Sequence, residues 1–189
     1  PISFVATANC ALYCDANVEF VDIDELTYNL SAIALEKKLI DHTNNNKPLP
    51  KVVIVVHLAG QPCDMKAISK LSLKYGFKVI EDASHAIGSS YGGKKTGSCE
   101  YSDICVFSFH PVKIITTAEG GAVTTNNPDL HEKILLLRSH GVNKNSNKFI
   151  NISDGEWYYE QIDLGFNYRM TDLQAALGIS QLKRIDDFI

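Results

Sequence analysis

"VVIVVH" (52–57) is a continuous run of β-branched residues closed by a histidine. Such a run suits a strand covered on both faces, the mark of a parallel sheet. Working outward from it, Asp64 opens a helical pattern that sets Met65, Ile68, Leu71 and Tyr75 on one side and stops at Gly76. "FKVIEDA" (77–83) is the next strand, followed by "DICVFSF" (103–109) and "GGAVTT" (120–125). Upstream, "VEFVDI" (18–23) reads as a strand and Ser31 as the cap of a short helix through Ile40. The Asn- and Pro-rich "DHTNNNKPLPK" (41–51) reads as a loop. Downstream, Pro128 starts a helix that carries Leu130, Ile134, Leu137 and Arg138 and ends at Gly141. Residues 142–161 are polar and irregular, and Thr171 with Gln174 forms a capping box ahead of "LQAALGISQLKRI". Strands and helices alternating in this way predict an α/β domain with a mainly parallel sheet sandwiched by helices.

The composition narrows the field. At 189 residues the chain suits one domain, and 45% hydrophobic with 21% charged residues is an ordinary globular mix. Eighteen basic against 22 acidic residues give a net charge of −4, which argues against nucleic acid or an anionic membrane as partner. The apolar runs are too short to span a bilayer. The five cysteines, at 10, 14, 63, 99 and 105, form no CxxC pair, so a reduced, cytoplasmic setting is expected. Cys10 and Cys14 have no matching His/Cys pair downstream, and the histidines lack a spacing such as HExxH, so no metal is expected. "PISFVATANCALYC" lacks both an initiating Met and the charged start of a secretory signal.

In open α/β sheets, ligands lie outside the carboxyl ends of the strands. "EDASHAIG" leaves Asp82 at such an end with His85 three residues on, and "SFHPVK" leaves Ser108 and Lys113 at the next. Lys113 stands between Pro111–Val112 and Ile114–Ile115. A lysine in apolar company snorkels, pairs, or gives up its charge. A neutral amine attacks carbonyls and forms a Schiff base. An amine, an acid and a hydroxyl on one sheet edge are what pyridoxal 5'-phosphate (PLP) asks for: a lysine for its carbonyl, an acid for its pyridinium nitrogen and hydroxyl donors for its phosphate. Each residue also has a plainer reading. Asp82 can cap the turn after its strand, His85 can be a satisfied core histidine, and Ser108 can bond a backbone carbonyl. Rival chemistries find less support. No GxGxxG follows a strand, "SFHPV" is not the GxSxG of a nucleophile elbow, and "YGGKK" with "KTGS" does not fit GxxxxGK[ST].

"EDASHAIGSSYGGKKTG", "SDICVFSFHPVKIITTAEGGAV", "LLRSHG" and "LGFNYRMTDLQAALGISQLKRID" together resemble the DegT/DnrJ/EryC1/StrS family of sugar aminotransferases, a branch of fold-type I PLP enzymes. The resemblance runs essentially end to end. It implies a PLP-dependent transferase large domain of the aspartate aminotransferase type, with residues 1–189 as its central part. The family's N-terminal segment, which helps hold the cofactor phosphate, and its C-terminal small domain are expected to lie outside this sequence. Carried over by motif, Lys113 is the covalent attachment point and proton shuttle, Asp82 contacts the pyridinium nitrogen, and His85 packs by the ring and a cofactor oxygen. Ser108 contacts the phosphate. Asn167, in "GFNYRM", reaches across a homodimer interface towards the neighbour's cofactor phosphate, and Arg169 contacts substrate. The implied activity is a ping-pong transfer of an amino group, from glutamate, to the keto carbon of a nucleotide-linked 4-keto-6-deoxy sugar. "SFHPVK" and "LLRSHG" are most similar to the transaminases that place a 4-amino group on a UDP-linked N-acetylhexosamine on the way to pseudaminic acid. Dehydratases of the family replace the lysine, often with histidine, whereas Lys113 is retained. The alternative is a catalytically silent fragment without a complete cofactor site.

Overall fold

Residues 1–189 are described by a computed structural model. Six helices and eight strands alternate along the chain. The first half holds α1 (Val5–Leu12), α2 (Ala32–Asn44), β1 (Val52–Val56), α3 (Met65–Tyr75) and β2 (Lys78–Asp82), then the two-residue strands β3 (Ser90–Tyr91) and β4 (Lys94–Lys95). The second half holds β5 (Ile104–Ser108), β6 (Gly121–Thr124), α4 (Pro128–Arg138), β7 (Val142–Asn143), β8 (Glu160–Gln161), α5 (Asp172–Leu182) and α6 (Ile185–Phe188).

One sheet organises the molecule, with strand order β1-β2-β5-β6. β1 pairs with β2 and β2 with β5 in parallel, whereas β6 returns antiparallel to β5, so the sheet is mixed with a parallel majority. The parallel pairs align Val56 with Asp82 and Asp82 with Val106, and the antiparallel pair sets Ser108 opposite Gly121. The carboxyl ends of β1, β2 and β5 and the start of β6 therefore share one edge.

The sheet's faces are covered unequally. Val53 and Val55 of β1 and Val79 of β2 are buried against Leu35 and Leu39 of α2 and Met65, Ile68 and Leu71 of α3. Burying a side chain such as Ile68 contributes roughly 1.5–3 kcal/mol. Val52 is 44% exposed, so β1 alternates instead of being sealed on both faces as its sequence suggested. A second cluster of Ala83, Ala86, Cys99, Cys105 and Phe107 lies beyond β2.

The caps behave as their residues dictate. Asp64 accepts a bond from the Ala67 amide, and Gly76 closes α3 in the left-handed region with its N–H on the Ser72 carbonyl. Ser31 caps α2, but the helix continues four residues past Ile40 to Asn44. The reason is that His42 extends the stripe of Leu35 and Leu39 and is buried with them. The strand expected at 18–23 is absent as an element. It is reduced to a bridge between Ile23 and Leu30, because Asp24 caps a tight turn through the Leu26 and Thr27 amides and folds the segment onto itself. α1 is an addition: it has no side-chain cap and no buried residue, so no amphipathic pattern announced it. The segment 142–161 is irregular except for the short β7–β8 ladder.

Candidate active site

Asp82 ends β2. Neighbouring side chains on a strand point to opposite faces, so Glu81 turns into the covered face and Asp82 away from it. The Asp82 carboxylate is fixed by three hydrogen bonds: Oδ1 accepts from the Ser84 amide (3.1 Å) and the Ser84 hydroxyl (2.6 Å), and Oδ2 accepts from Thr7 Oγ1 (2.7 Å). A carboxylate offers about four lone-pair positions, so one remains on Oδ2 for a further donor. Thr7 lies on α1 and was invisible in the sequence; without an expected helix there was nothing to aim its hydroxyl.

Ser108 ends β5 on the same edge, and its Oγ accepts from the His110 amide at 3.4 Å, which leaves its O–H free to donate. From Phe109 the chain leaves the sheet and returns at Gly120, whose carbonyl accepts the Phe109 amide at 2.8 Å. Lys113 rides on this loop, half-buried, with its backbone N–H on the His110 carbonyl at 2.9 Å. None of the chain's ion pairs takes up its amine. The loop's far end is buried through Ile115 and Thr117. Gly120 must be glycine there, because a Cβ would collide with Thr117 Oγ1.

His85 follows Asp82 with an exposed side chain, while its carbonyl closes on Gly60, where a Cβ would lie 2.9 Å away. It is therefore not the satisfied core histidine of the plainer reading. That role belongs to His57, fully buried at the end of β1. Its Nδ1 accepts from the Cys63 amide at 3.2 Å, so Nε2 carries the proton and donates to Glu81 Oε2 at 2.7 Å. Ser102 donates to the other Glu81 oxygen, which completes a buried network behind the strand that ends in Asp82. Nearby thiols are not the nucleophiles. Burial pushes Cys63 up to about 12 and raises Cys105 as well, with the Glu81 charge adding to both.

Asn167 and Arg169 stand elsewhere. Their segment runs along the end of α4: Phe166 donates to the Leu137 carbonyl, Tyr168 to that of Arg138, and Asn167 bridges Ser139. Both side chains are exposed, and Arg169 lines an open cleft with Lys144, Lys148 and Tyr159. The strand edge thus gathers Asp82, Ser108 and the Lys113 loop, while Asn167 and Arg169 bond to none of them. An acid with one free acceptor position, a free hydroxyl and an unpaired amine at one sheet edge match the donor set that PLP requires.

The sequence model of the DegT/DnrJ/EryC1/StrS aminotransferase family matches residues 1–189. A Campylobacter jejuni protein named UDP-4-amino-4,6-dideoxy-N-acetyl-beta-L-altrosamine transaminase is 46% identical over 186 residues, spanning 98% of this chain and 45% of that protein. Among solved structures, an aminotransferase of Helicobacter pylori involved in the biosynthesis of pseudoaminic acid superposes with TM-score 0.82 at 38% identity, over 98% of this chain and 45% of that one. The PLP-form structure of a Streptococcus pneumoniae protein gives TM-score 0.77 at 27% identity, over 98% and 47% respectively. The chain thus spans a little under half the length of the relatives it matches.

Proposed function

Because the chain belongs to the DegT/DnrJ/EryC1/StrS aminotransferase family, we propose that it carries the cofactor-binding part of a PLP-dependent nucleotide-sugar aminotransferase. The observation that carries this reading is the Asp82 carboxylate, held by Thr7 and Ser84 with one acceptor position open, on the edge that also bears Ser108 and the Lys113 loop. PLP, when bound, supplies a protonated conjugated ring that draws electrons from the carbon losing or gaining the amino group. Asp82 keeps the proton on the ring nitrogen by accepting a charge-assisted hydrogen bond. The Lys113 amine would hold the cofactor covalently, and its nitrogen can take up and return a proton as general base and acid. The Ser108 hydroxyl donates to the cofactor phosphate, and His85 packs beside the ring.

The finer assignments belong to the same proposal. Glutamate is the amino donor. The acceptor is a nucleotide-linked 4-keto-6-deoxy sugar, a reading supported by the UDP-linked 4-amino-4,6-dideoxy sugar in the name of the Campylobacter relative. The protein works as a cytoplasmic homodimer. In it, Asn167 serves the neighbour's cofactor phosphate and Arg169, in its open cleft, serves the substrate. Residues 1–189 are the central part of the large domain. A second reading is favoured by the coverage of about 45% of the relatives: taken alone, this stretch is a silent fragment that holds the chemistry residues without a complete cofactor site.

One experiment separates the readings. PLP followed by borohydride, with mass spectrometry, is applied to residues 1–189 and to the longest natural polypeptide that contains them. The expected pyridoxyl adduct falls on Lys113 of the longer protein. An adduct on another lysine, or on none, overturns the assignment. A longer protein labelled at Lys113 beside an unlabelled short one supports the silent-fragment reading of the short one.

A further inference from the structure

One side of α5 lies against the loop that carries Lys113. Positions 174, 178 and 181 are spaced i, i+4, i+7 and therefore share a helix face. At the first, Gln174 Nε2 donates to the Glu119 carbonyl at 2.9 Å. The second is Gly178, where a Cβ would come within 2.8 Å of Thr117 Cγ2. At the third, Gln181 Oε1 accepts from the Thr116 amide at 2.6 Å. The helix thus meets Glu119, Thr117 and Thr116 in turn, running against the loop.

The geometry of Gln174 is over-determined. Gln174 Oε1 accepts from the Thr171 amide at 3.0 Å in the capping box, so its nitrogen must face Glu119. The cap that fixes where α5 starts also fixes how the helix grips the loop. Opposite α5, Thr116 Oγ1 and the Thr117 amide both donate to the Phe109 carbonyl, at 2.9 and 3.0 Å. Residues 110–114 therefore span two fixed points, the end of β5 and the buried Ile115 with the Thr116–Thr117 pair. Lys113 sits inside that span.

We propose that Gln181, with Gly178 and Gln174, forms a positioning surface: α5 sets the height of the Thr116–Thr117 anchor and thereby where the Lys113 amine sits relative to Asp82. The proposal rests on the reading of Lys113 as the cofactor attachment point. None of the three residues touches the cofactor itself in this scheme. They act through the backbone of the loop.

The test uses the longest natural polypeptide containing this chain. Gln181→Met keeps the length and removes the acceptor, whereas Gln181→Glu keeps an acceptor. Two readouts are taken: hydrogen exchange at the Thr116 amide, and the pH midpoint and rate of borohydride-trapped PLP adduct formation at Lys113. Losing one hydrogen bond should speed Thr116 exchange on the order of tenfold and slow adduct formation several-fold with a shifted midpoint, and Gln181→Glu should restore both. Should Gln181→Met fail to fold, Gly178→Ala leaves both glutamines in place, presses on Thr117, and should shift the same midpoint. Faster Thr116 exchange with an unchanged adduct rate and midpoint overturns the proposal, as does unaltered exchange or failure of Gln181→Glu to restore. If even the unsubstituted protein forms no Lys113 adduct, the cofactor reading is what fails, and the exchange measurement still decides whether α5 restrains the loop.

Discussion

Thr7 Oγ1 donates to Asp82 Oδ2 at 2.7 Å although the two residues lie 75 positions apart in sequence. With both Ser84 donors on Oδ1, the carboxylate has little freedom to rotate, and its remaining acceptor direction is set by the fold. Thr7→Val removes the hydroxyl while conserving shape. A hydrogen bond to a charged group is worth about 1.5–3 kcal/mol, so PLP affinity of the longest natural polypeptide should fall on the order of tenfold. Thr7→Ser should recover most of it. The check is a titration of PLP followed by its visible absorbance. Unchanged affinity in Thr7→Val would remove Thr7 from the site.

The buried network behind Asp82 invites a stability measurement. His57 Nε2–H has Glu81 as its partner, and neither side chain reaches solvent appreciably, with exposures of 0% and 8%. Glu81→Ala strands the His57 proton and the Ser102 hydroxyl, each of which loses its acceptor. An unsatisfied buried donor costs about 1–3 kcal/mol, so the thermal midpoint should drop by several degrees. Glu81→Gln, which keeps an acceptor for one of the two, should fall in between. Equal midpoints for all three proteins would contradict the network.

Cysteine reactivity tests the core directly. Burial pushes the Cys63 thiol up to about 12, and its Sγ donates to the Val56 carbonyl at 3.2 Å. At pH 8 its thiolate fraction is on the order of a thousandfold below that of an ordinary exposed thiol. Maleimide labelling followed by mass spectrometry should therefore spare Cys63 in the native protein and modify it readily in urea. Rapid native labelling at Cys63 would mean that the sheet's covered face opens.

The parts of the fold that were readable had a local cause. Asp64, Ser31, Thr171 with Gln174, and Gly76 each announce a helix end through their own side chain or lack of one, and all four hold in three dimensions. That Asp82 and Ser108 end on one edge, with the Lys113 loop beyond it, was legible because strand ends in a parallel sheet line up. What escaped depended on distant partners. α1 has no buried stripe, so neither the helix nor Thr7 could be anticipated. The strand reading of 18–23 failed because alternation says a segment can pair without saying that a neighbour is there. Gln181 looked like an ordinary polar position on a capped helix, since its partner, the Thr116 amide, lies 65 residues away.

The irregular segment before α5 has its own anchor, and that anchor titrates. Glu160 accepts from the Ile150 and Asn151 amides, both at 2.7 Å, and from the Tyr158 hydroxyl at 3.0 Å. These bonds, the Ile150 amide foremost, hold its carboxyl below the usual range. A carboxyl whose folded value is depressed contributes stability above its unfolded value, about 4.3, and loses it as pH falls through the lower, folded value. The segment should therefore loosen on the acid side of about pH 4.3 and be indifferent to pH above it. Trp157, the single tryptophan, stacks edge-on to Tyr158 at 6.0 Å and reports the change through its fluorescence. The native protein should show an acid transition in that signal, and Glu160→Gln should start looser and lose the pH dependence. An acid transition that persists unaltered in Glu160→Gln would place the titrating group elsewhere.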